Sequence, residues 1–317
     1  MYYLMYKRST TMGTNMDALV DAARKTGGAP MALICPDNKA LSAVNEAMAQ
    51  GIVSQAFLVG DKTRIHSLSN LTGPFRNQYD ILEVDSPESA CATGISLVKS
   101  NQAQMIMKGE LNTAVFLKSI LDRKTGLPAG RRLSLVCIFE IPGMDRLVIL
   151  TDPGINPHLF PIGTPESGMD IIQNAMDVAW SIGIPTPRVA ILGANEVPSP
   201  SVPSSLHAQA LSRMHWKNAV VSGPLSYDIA LYPQFAEKKG MTHDPVAGQA
   251  DILIAPDIVS GNVLYKSWIA TIGGAVANVV PGAQVPLIIS SRSDTDRSKF
   301  LTICSSVLFS RYIKDRP

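Results

Sequence analysis

The sequence predicts an α/β protein of two domains, each with a mostly parallel sheet between layers of helices. Three observations favour this fold class. Short apolar runs alternate with amphipathic helical patterns along most of the chain, which is typical of parallel strands joined by helices. Several of these runs are β-branched and apolar at successive positions, as strands buried on both faces are. The chain has 317 residues, which is long enough for two ordinary domains.

The predicted elements follow a regular order. Strands are predicted at the apolar runs Met31–Cys35, Gln55–Val59, Asp80–Val84, Met105–Met107, Ser134–Glu140, Leu147–Leu150, Arg188–Leu192, Ala219–Val221, Asp251–Ala255 and Val285–Ser290. Helices are predicted where apolar residues recur at helical spacing, over Asn15–Lys25, Lys39–Gln50, Pro87–Ser100, Ala114–Asp122, Ser167–Ile182, Leu206–Met214, Ile229–Lys238 and Ser298–Tyr312. The chain is expected to cross into its second domain near Ile141–Asp145, and the last helix to return to the first domain.

Composition limits the classes of partner and compartment. The net charge of +2 gives no reason to expect a nucleic acid or a membrane as partner. No apolar run reaches the length that spans a bilayer. The four cysteines are far apart, and none has the CxxC spacing. Cysteine usage of this kind predicts a reducing compartment, and therefore a cytoplasmic protein.

A site for a phosphate-bearing ligand is predicted within residues 246–298. Two short apolar runs there each end in a turn of polar and small residues, and each turn opens a helical pattern. The unpaired N–H groups and the dipole of a helix start favour anions. The turn residues are Pro256, Asp257, Gly261, Asn262 and Lys266 after the first run, and Ser291, Arg292, Asp294, Thr295 and Asp296 after the second. Arg297 and Lys299 add positive charge beside Arg292.

A second phosphate cradle is predicted after the strand Met105–Met107. Lys108 supplies a positive charge, Gly109 permits a close approach of the backbone, and Asn112 or Thr113 can cap the following helix. An ordinary connection between a strand and a helix is the alternative.

Further polar segments follow three other strands. Glu196 lies in a loop of about a dozen residues that is longer than an ordinary connection, and long loops often carry function. Asp228 follows the strand that ends near Val221, and Asp152 and Asn156 follow the strand that ends at Leu150. These acids and amides either face a ligand or cap a turn or helix.

Several motifs in the chain resemble those of the phosphate acetyl/butyryltransferase family, and they are most similar to its butyryltransferase branch. They are MKGxxxTAxxLxxxL from Met107, ExxxPxxP from Glu196, GPLxxD from Gly223, and AGxADILIxPDIxxGNxLYK from Ala247 followed by SRxD from Ser291. The resemblance covers roughly Ala32 to Ser306 and is most specific after Lys99.

The resemblance implies an architecture and a reaction. The architecture is two α/β domains of the isocitrate/isopropylmalate dehydrogenase type with a cleft between them. Domain I is expected over residues 1–142 and 291–317, and domain II, inserted in it, over residues 143–290. The reaction interconverts a short-chain acyl-CoA plus inorganic phosphate with acyl phosphate plus coenzyme A. The resemblance implies that coenzyme A is a substrate and that no metal is needed. It also implies a homodimer or larger homo-oligomer.

The family motifs also imply roles for individual residues. Arg292 is expected to bind phosphate or coenzyme A, and Ser291 to stabilise the transition state. The base that deprotonates the thiol is expected to be Asp294, or in second place Asp296. The acetyltransferase branch instead carries its aspartate where this chain has Ser298. Substrate binding is carried over to Lys108, Gly109, Thr113, Lys118, Glu196, Asp228, Asn262 and Lys266; Lys118 stands where the family has arginine.

Two alternatives remain at this stage. A metal- and NAD-dependent β-decarboxylating dehydrogenase has the same kind of fold, but the sequence shows neither a carboxylate trio nor a strand–GxGxxG–helix unit. A non-catalytic relative that binds coenzyme A or acyl phosphate is the other, and the departures at Lys118 and Ser298 and in the Glu196 loop leave it open. Neither a GxSxG motif nor metal-ligand spacing of the five histidines is present.

Overall fold

The structure, a computed structural model, describes residues 14–71, 74–159, 166–289 and 294–316. The helices within these ranges are α1 (Met16–Arg24), α2 (Asn38–Ala49), α3 (Lys62–His66), α4 (Pro87–Lys99), α5 (Thr113–Leu121), α6 (Glu166–Ser181), α7 (Pro203–Ser212), α8 (Tyr227–Leu231), α9 (Pro233–Lys238), α10 (Ile258–Ala270) and α11 (Asp296–Asp315). The strands are β1 (Ala29–Ile34), β2 (Val53–Gly60), β3 (Tyr79–Glu83), β4 (Ile106–Lys108), β5 (Val136–Glu140), β6 (Leu147–Thr151), β7 (Arg188–Leu192), β8 (Val220–Leu225), β9 (Ile252–Ile254), β10 (Ala275–Val279) and β11 (Leu287–Ile289). The predicted α/β fold class is confirmed.

The first sheet is parallel throughout and has the strand order β11-β4-β1-β2-β3. Alternate residues of β1 pack on opposite faces. Met31 and Leu33 join a core with α1, α2 and α11, whereas Ala32 and Ile34 join a core with α4 and α5. A strand covered on both faces has to be apolar at every position, which is why the sequence shows an unbroken apolar run there.

The second sheet has the strand order β10-β5-β6-β9-β7-β8. Strands β6, β9, β7 and β8 are parallel to one another, and β5 runs antiparallel to both of its neighbours. Helices α6, α7 and α11 cover one face, and α8, α9 and α10 cover the other. The antiparallel pair β5–β6 is a hairpin whose turn contains Pro142 and Gly143.

Helix α11 lies between the two sheets and connects their cores. Its residues Phe300 to Phe309 are buried, and they join one continuous cluster with residues from both sheets. It also covers the edge of the second sheet, because Asn278 on β10 donates its backbone N–H to the Thr302 hydroxyl over 3.0 Å. Covering an edge strand in this way satisfies a backbone donor that the sheet leaves unpaired.

Sheet membership differs from the predicted domain boundaries at two strands. Boundaries after residues 142 and 290 assign β5 to the first domain and β11 to the second, but β5 pairs in the second sheet and β11 in the first. An apolar run shows that a strand is buried without showing which neighbour it pairs with. We propose that the crossings between the two halves lie before Val136 and before Leu287.

Local differences from the prediction have local causes. The helix predicted over Ile229–Lys238 is divided into α8 and α9, because Pro233 has no N–H to continue the first helix and instead begins the second. Strand β10 was not predicted, since its five residues include two alanines and an asparagine. In the part of the chain that the structure describes, no helix combines the length and apolar character needed to span a bilayer.

Candidate active site

The carboxyl ends of β1, β4 and β11 lie side by side at one edge of the first sheet. Ile34, Lys108 and Ile289 are in register across this edge. Since the strands are parallel, the chain leaves all three from the same edge, which is where α/β proteins place ligand sites. The two phosphate sites predicted after β4 and after β11 therefore begin at neighbouring strand ends.

The turn after β4 packs tightly against the end of β1. Gly109 donates its N–H to the Ile34 carbonyl over 2.8 Å, and Glu110 donates its N–H to the Cys35 carbonyl over 2.7 Å. A Cβ atom on Gly109 would lie 2.9 Å from the Cys35 carbonyl carbon and closer still to its oxygen. The close backbone approach predicted for Gly109 is therefore real, and only glycine fits.

Lys108 is buried beneath this turn, where its ammonium donates to the carbonyls of Leu111 (2.7 Å) and Gly109 (3.1 Å). A buried ammonium costs free energy unless it is hydrogen-bonded, and these two carbonyls compensate for part of that cost. Lys108 therefore fixes the shape of the turn, and its predicted contact with phosphate remains a prediction.

The backbone at Cys35 lies in the left-handed region, with φ at +48°. A non-glycine residue there is uncommon, and such strain tends to occur where function requires an unusual geometry. Its own N–H donates to the Val59 carbonyl over 2.8 Å. The sequence gives no sign of this strain at Cys35, because backbone strain has no signature in composition or spacing.

Helix α5 begins at this edge, and its N-cap is Asn112, whose side-chain oxygen accepts the Ala114 N–H over 2.8 Å. Thr113, the other predicted cap, is the first helical residue and is exposed. Lys118 is exposed in the last turn, five residues or about 7.5 Å further along the helix axis. The structure therefore does not bring Lys118 to the helix start, where the anion site is predicted.

The predicted residues Ser291 and Arg292 lie outside the described residues. Immediately after them, Thr295 caps α11 by accepting the Ser298 N–H at 3.1 Å and donates its hydroxyl to the Ser298 hydroxyl over 3.0 Å. Ser298 is thus part of a helix cap. Asp296 is exposed in the first helical turn, where a carboxylate stabilises the helix dipole.

Asp294 lies directly before the N-cap of α11 and is half-buried. Burial raises the pKa of the Tyr265 hydroxyl and of the Cys137 thiol, and the charge of Asp294 raises both further. Tyr265 belongs to α10 and Cys137 to β5, so the carboxylate of Asp294 lies near elements of the second sheet. Its carbonyl accepts a hydrogen bond from the Lys299 ammonium at 2.6 Å.

Asp152 organises the turn after β6. Its carboxylate accepts the backbone N–H groups of Gly154 and Ile155, each at 2.9 Å, and both the N–H (3.1 Å) and the side-chain amide (2.6 Å) of Asn156. Burial raises the pKa of this carboxyl, although these hydrogen bonds act in the opposite direction. Asp152 therefore caps a turn, which is one of the two interpretations that the sequence leaves open.

The start of α10 packs against that turn. A Cβ on Gly261 would lie 2.9 Å from the Asp152 carbonyl oxygen, and Asn262 donates its side-chain amide to the Pro153 carbonyl over 3.0 Å. Lys266 is exposed, with its ammonium 5.5 Å from the centre of the Tyr265 ring. Of these two predicted binding residues, Asn262 holds the helix to the turn, whereas Lys266 is exposed beside Tyr265.

Glu196 and Asp228 follow strands β7 and β8, at the far side of the second sheet. Glu196 accepts the Ser226 N–H (3.1 Å) and hydroxyl (2.6 Å) and pairs with Lys239 at 2.8 Å. Asp228 is exposed in the first turn of α8. Since β8 lies four strand spacings or about 19 Å from β5, neither acid belongs to the group around Asp294. Their predicted roles in binding stay predictions.

The contacts of Glu196 predict a pH-dependent contribution to stability. Burial raises the pKa of Glu196, but the hydrogen bonds from Lys239 and Ser226 outweigh it and lower the pKa to about 2. Because the unfolded value is about 4.3, the stabilisation is complete above that value and is lost as the pH falls towards the folded one. We expect Glu196→Gln to lower the free energy of unfolding by on the order of 1–2 kcal/mol at neutral pH.

Urea unfolding of both proteins between about pH 7 and pH 3 measures this difference. It should stay constant down to about pH 5 and then shrink. Glu237→Gln, an exposed position on α9, is the matched control and should leave stability within about 0.5 kcal/mol at every pH. A difference for Glu196→Gln that does not change with pH would contradict the assignment.

Sequence reasoning did not single out Tyr265, Asn278 or Lys299 as individual site residues. Tyr265 lies within the motif that begins at Ala247, but the motif predicts binding roles only for Asn262 and Lys266. Arg297 and Lys299 are both predicted to add positive charge beside Arg292. The structure shows that Arg297 is half exposed and pairs with Asp17 at 3.3 Å. In the ranges that the structure describes, no group of three or more His, Cys, Asp or Glu side chains is placed to hold a metal ion.

The chain matches a known protein family over most of the site described above. The family model described as phosphate acetyl/butaryl transferase matches residues 87–306. The chain belongs to this family. The matched range runs from the start of α4 into α11, and it contains every residue to which the sequence analysis assigned a role in catalysis or binding.

Relatives within the phosphate acetyl/butaryl transferase family are similar over most of the chain. A phosphate butyryltransferase of Clostridium acetobutylicum is 38% identical over 281 residues, which are 87% of this chain and 91% of the relative. A phosphate acetyltransferase of Thermotoga maritima is 33% identical over 300 residues, 93% of this chain and 99% of the relative. The solved structure of a branched-chain phosphotransacylase from Enterococcus faecalis is 28% identical, with a TM-score of 0.77 over 89% of this chain and 99% of that one.

Proposed function

We propose that the chain transfers a short-chain acyl group between coenzyme A and inorganic phosphate. Membership of the phosphate acetyl/butaryl transferase family supports this, and so do the relatives named for acetyl and butyryl transfer. The structural observation that carries the proposal is the adjacency of the ends of β4 and β11. It brings the turn after Lys108 beside the end of β11 at one edge of the sheet, and we assign the meeting of phosphate and acyl-CoA to this edge.

In the proposed reaction, a phosphate oxygen attacks the thioester carbonyl and forms a tetrahedral intermediate. The carbon–sulfur bond then breaks, the acyl group remains on phosphate, and coenzyme A leaves as a thiolate that takes up a proton. Much of the acceleration in such a transfer comes from holding two anions together in the right orientation. We assign that task to the positive end of α5, to Lys108 and to Arg292.

In the reverse direction a base has to remove the thiol proton, and we assign this role to Asp294. The structure favours it over the alternatives, because Asp296 faces solvent and Ser298 belongs to the cap of α11. Asp294 is partly buried beside Tyr265. A carboxylate within reach of a thiol is a competent general base. Ser291 is assigned to stabilising the oxyanion of the tetrahedral intermediate, for which a preorganised hydroxyl donor is suited.

Release of free coenzyme A thiol from acetyl-, propionyl- and butyryl-CoA, with and without phosphate, tests the proposal. Release that depends on phosphate, with acyl phosphate formed in equal amount, is the expected result, and the series ranks the acyl groups. Release without phosphate would show a thioesterase and would overturn the proposal. Folded protein that binds coenzyme A without turnover would instead identify a non-catalytic relative.

We further propose that the protein works in the cytoplasm as a homodimer or larger homo-oligomer. Exposed apolar side chains support an assembly: Val259 and Val263, one turn apart on α10, are 69% and 61% exposed, and exposed apolar patches commonly mark protein contacts. Light scattering on the purified chain should give a mass of at least twice 34.0 kDa. A monomer mass at micromolar concentration would refute the assembly.

A further inference from the structure

Lys299 is a buried cation in the first turn of α11. Its side chain is only 4% exposed, and it is the fourth residue of the helix. Removing an ammonium from water costs free energy, and the positive end of a helix dipole adds to that cost. The ammonium donates to the Asp294 carbonyl over 2.6 Å, so the buried side chain holds the main chain at Asp294.

A second set of buried contacts joins α11 to α10 and β10. Tyr265, 8% exposed, accepts the Asn278 side-chain amide on its hydroxyl at 3.2 Å. Asn278 in turn donates its backbone N–H to Thr302 over 3.0 Å, and Thr302 lies one helical turn after Lys299 on α11. Asn278 thus joins α11, through Thr302, to Tyr265 of α10, one helical turn after the residue that holds Asp294.

The chain of contacts joins the two halves of the protein. Lys299 and Thr302 belong to α11, which follows the first sheet, whereas Asn278 and Tyr265 belong to β10 and α10 of the second. Asp294 is therefore held by the first turn of α11, and α11 is itself tied to the second half through Thr302. Displacing a catalytic group by about 1 Å is enough to cost about 100-fold in rate.

We propose that Lys299 is a positioning residue, whose hydrogen bond to the Asp294 carbonyl aims the Asp294 carboxylate at the thiol of coenzyme A. The inference rests on the proposed acyl transfer and adds a determinant of its rate. Lys299 acts through Asp294, so it governs turnover more than the binding of coenzyme A or phosphate.

Lys299→Met tests this, since methionine is also unbranched and removes the charge and the donor. We expect kcat for acyl phosphate plus coenzyme A to fall at least about 10-fold, with both KM values within about threefold. Lys299→Arg, which retains a donor and a charge, should recover part of the loss. Ser306→Ala is the matched control on α11, because this buried hydroxyl has no hydrogen-bond partner among the described residues; its kcat should match wild type.

A double-mutant experiment distinguishes a positioning role of Lys299 from a purely structural one. In an Asp294→Asn background, Lys299→Met should lower kcat by less than about twofold, because residues that act as one unit are not additive. Equal losses in both backgrounds would show that Lys299 only supports the fold, and would overturn the proposal. A raised KM for phosphate with unchanged kcat would also overturn it, because Lys299 would then bind the anion itself.

Amide hydrogen exchange gives a measurement of the Lys299 contact that does not depend on activity. Amide exchange of residues 294–299 should be faster in Lys299→Met than in Ser306→Ala, and equal exchange would contradict the positioning role whatever the activity. If Lys299→Met does not fold, Lys299→Gln, which is uncharged and one atom too short to span the same distance, takes its place in the same comparison. Wild-type protein without phosphate-dependent thiol release would refute the proposed function, whereas an active wild type with an equally active variant would refute only the role of Lys299.

Discussion

Replacing Arg292 with alanine is expected to lower kcat by about 100-fold or more while leaving the unfolding transition unchanged. The guanidinium can hold two phosphate oxygens at once, and such charge-assisted pairs are stronger than neutral hydrogen bonds. Removing one preorganised donor to a developing oxyanion costs about 10²- to 10³-fold in kcat. Steady-state release of thiol from butyryl-CoA in saturating phosphate measures the effect, and Arg292→Lys should fall between alanine and wild type.

The chain offers a matched control five residues away. Arg297 is half exposed and pairs with Asp17 at 3.3 Å, so Arg297→Ala should keep kcat within about twofold of wild type. Nearly normal activity of Arg292→Ala would remove Arg292 from the mechanism. Equal losses in both variants would show that the general positive charge of this segment matters, and not one side chain.

Replacing Gly109 with alanine is expected to impair both stability and turnover. The added Cβ would lie 2.9 Å from the Cys35 carbonyl carbon and 3.0 Å from the Cα of Pro36. Both are backbone atoms, so the turn after β4 has to move away from the end of β1. We expect a loss of at least about 2 kcal/mol in the free energy of unfolding, and a fall in kcat/KM of at least about 10-fold because the turn and α5 shift together.

Urea unfolding and thiol-release kinetics on the same preparation measure both effects. Gly240→Ala is the control: a Cβ there meets nothing within 4 Å, but φ is +72°, so only the backbone strain of about 1 kcal/mol applies. Kinetics of the control should be unchanged. If Gly109→Ala were as stable and as active as wild type, the close approach of the two turns would have no role in the site.

Lys108 and Gly109 lie in the turn that the sequence predicted best. Their place after a strand and before a helix was predictable, because strand length, glycine and helix caps are local features. The position of Lys118 relative to the site was not predictable, because a motif does not show how far a charged side chain lies from the ligand. The structure places it in the last turn of α5, away from the helix start.

Lys299 shows the opposite case. By composition it is one of three cations in a row of polar residues, and such clusters are usually solvated. Burial distinguishes its members: Arg297 is half exposed while Lys299 is almost wholly buried. Helical periodicity alone does not identify a lysine that faces the core, because the pattern around Lys299 contains too few apolar residues on its N-terminal side.

The sequence by itself determined the α/β class, most helices and strands, the family, and the turns that carry the site. These follow from periodicity, caps and motifs, all of which are local along the chain. Only the tertiary structure decided that β5 joins the second sheet and β11 the first, that α11 lies between the sheets, and that Lys299 is buried against Asp294. The physical reason is that pairing and burial depend on residues distant in sequence, whose contacts no local pattern encodes.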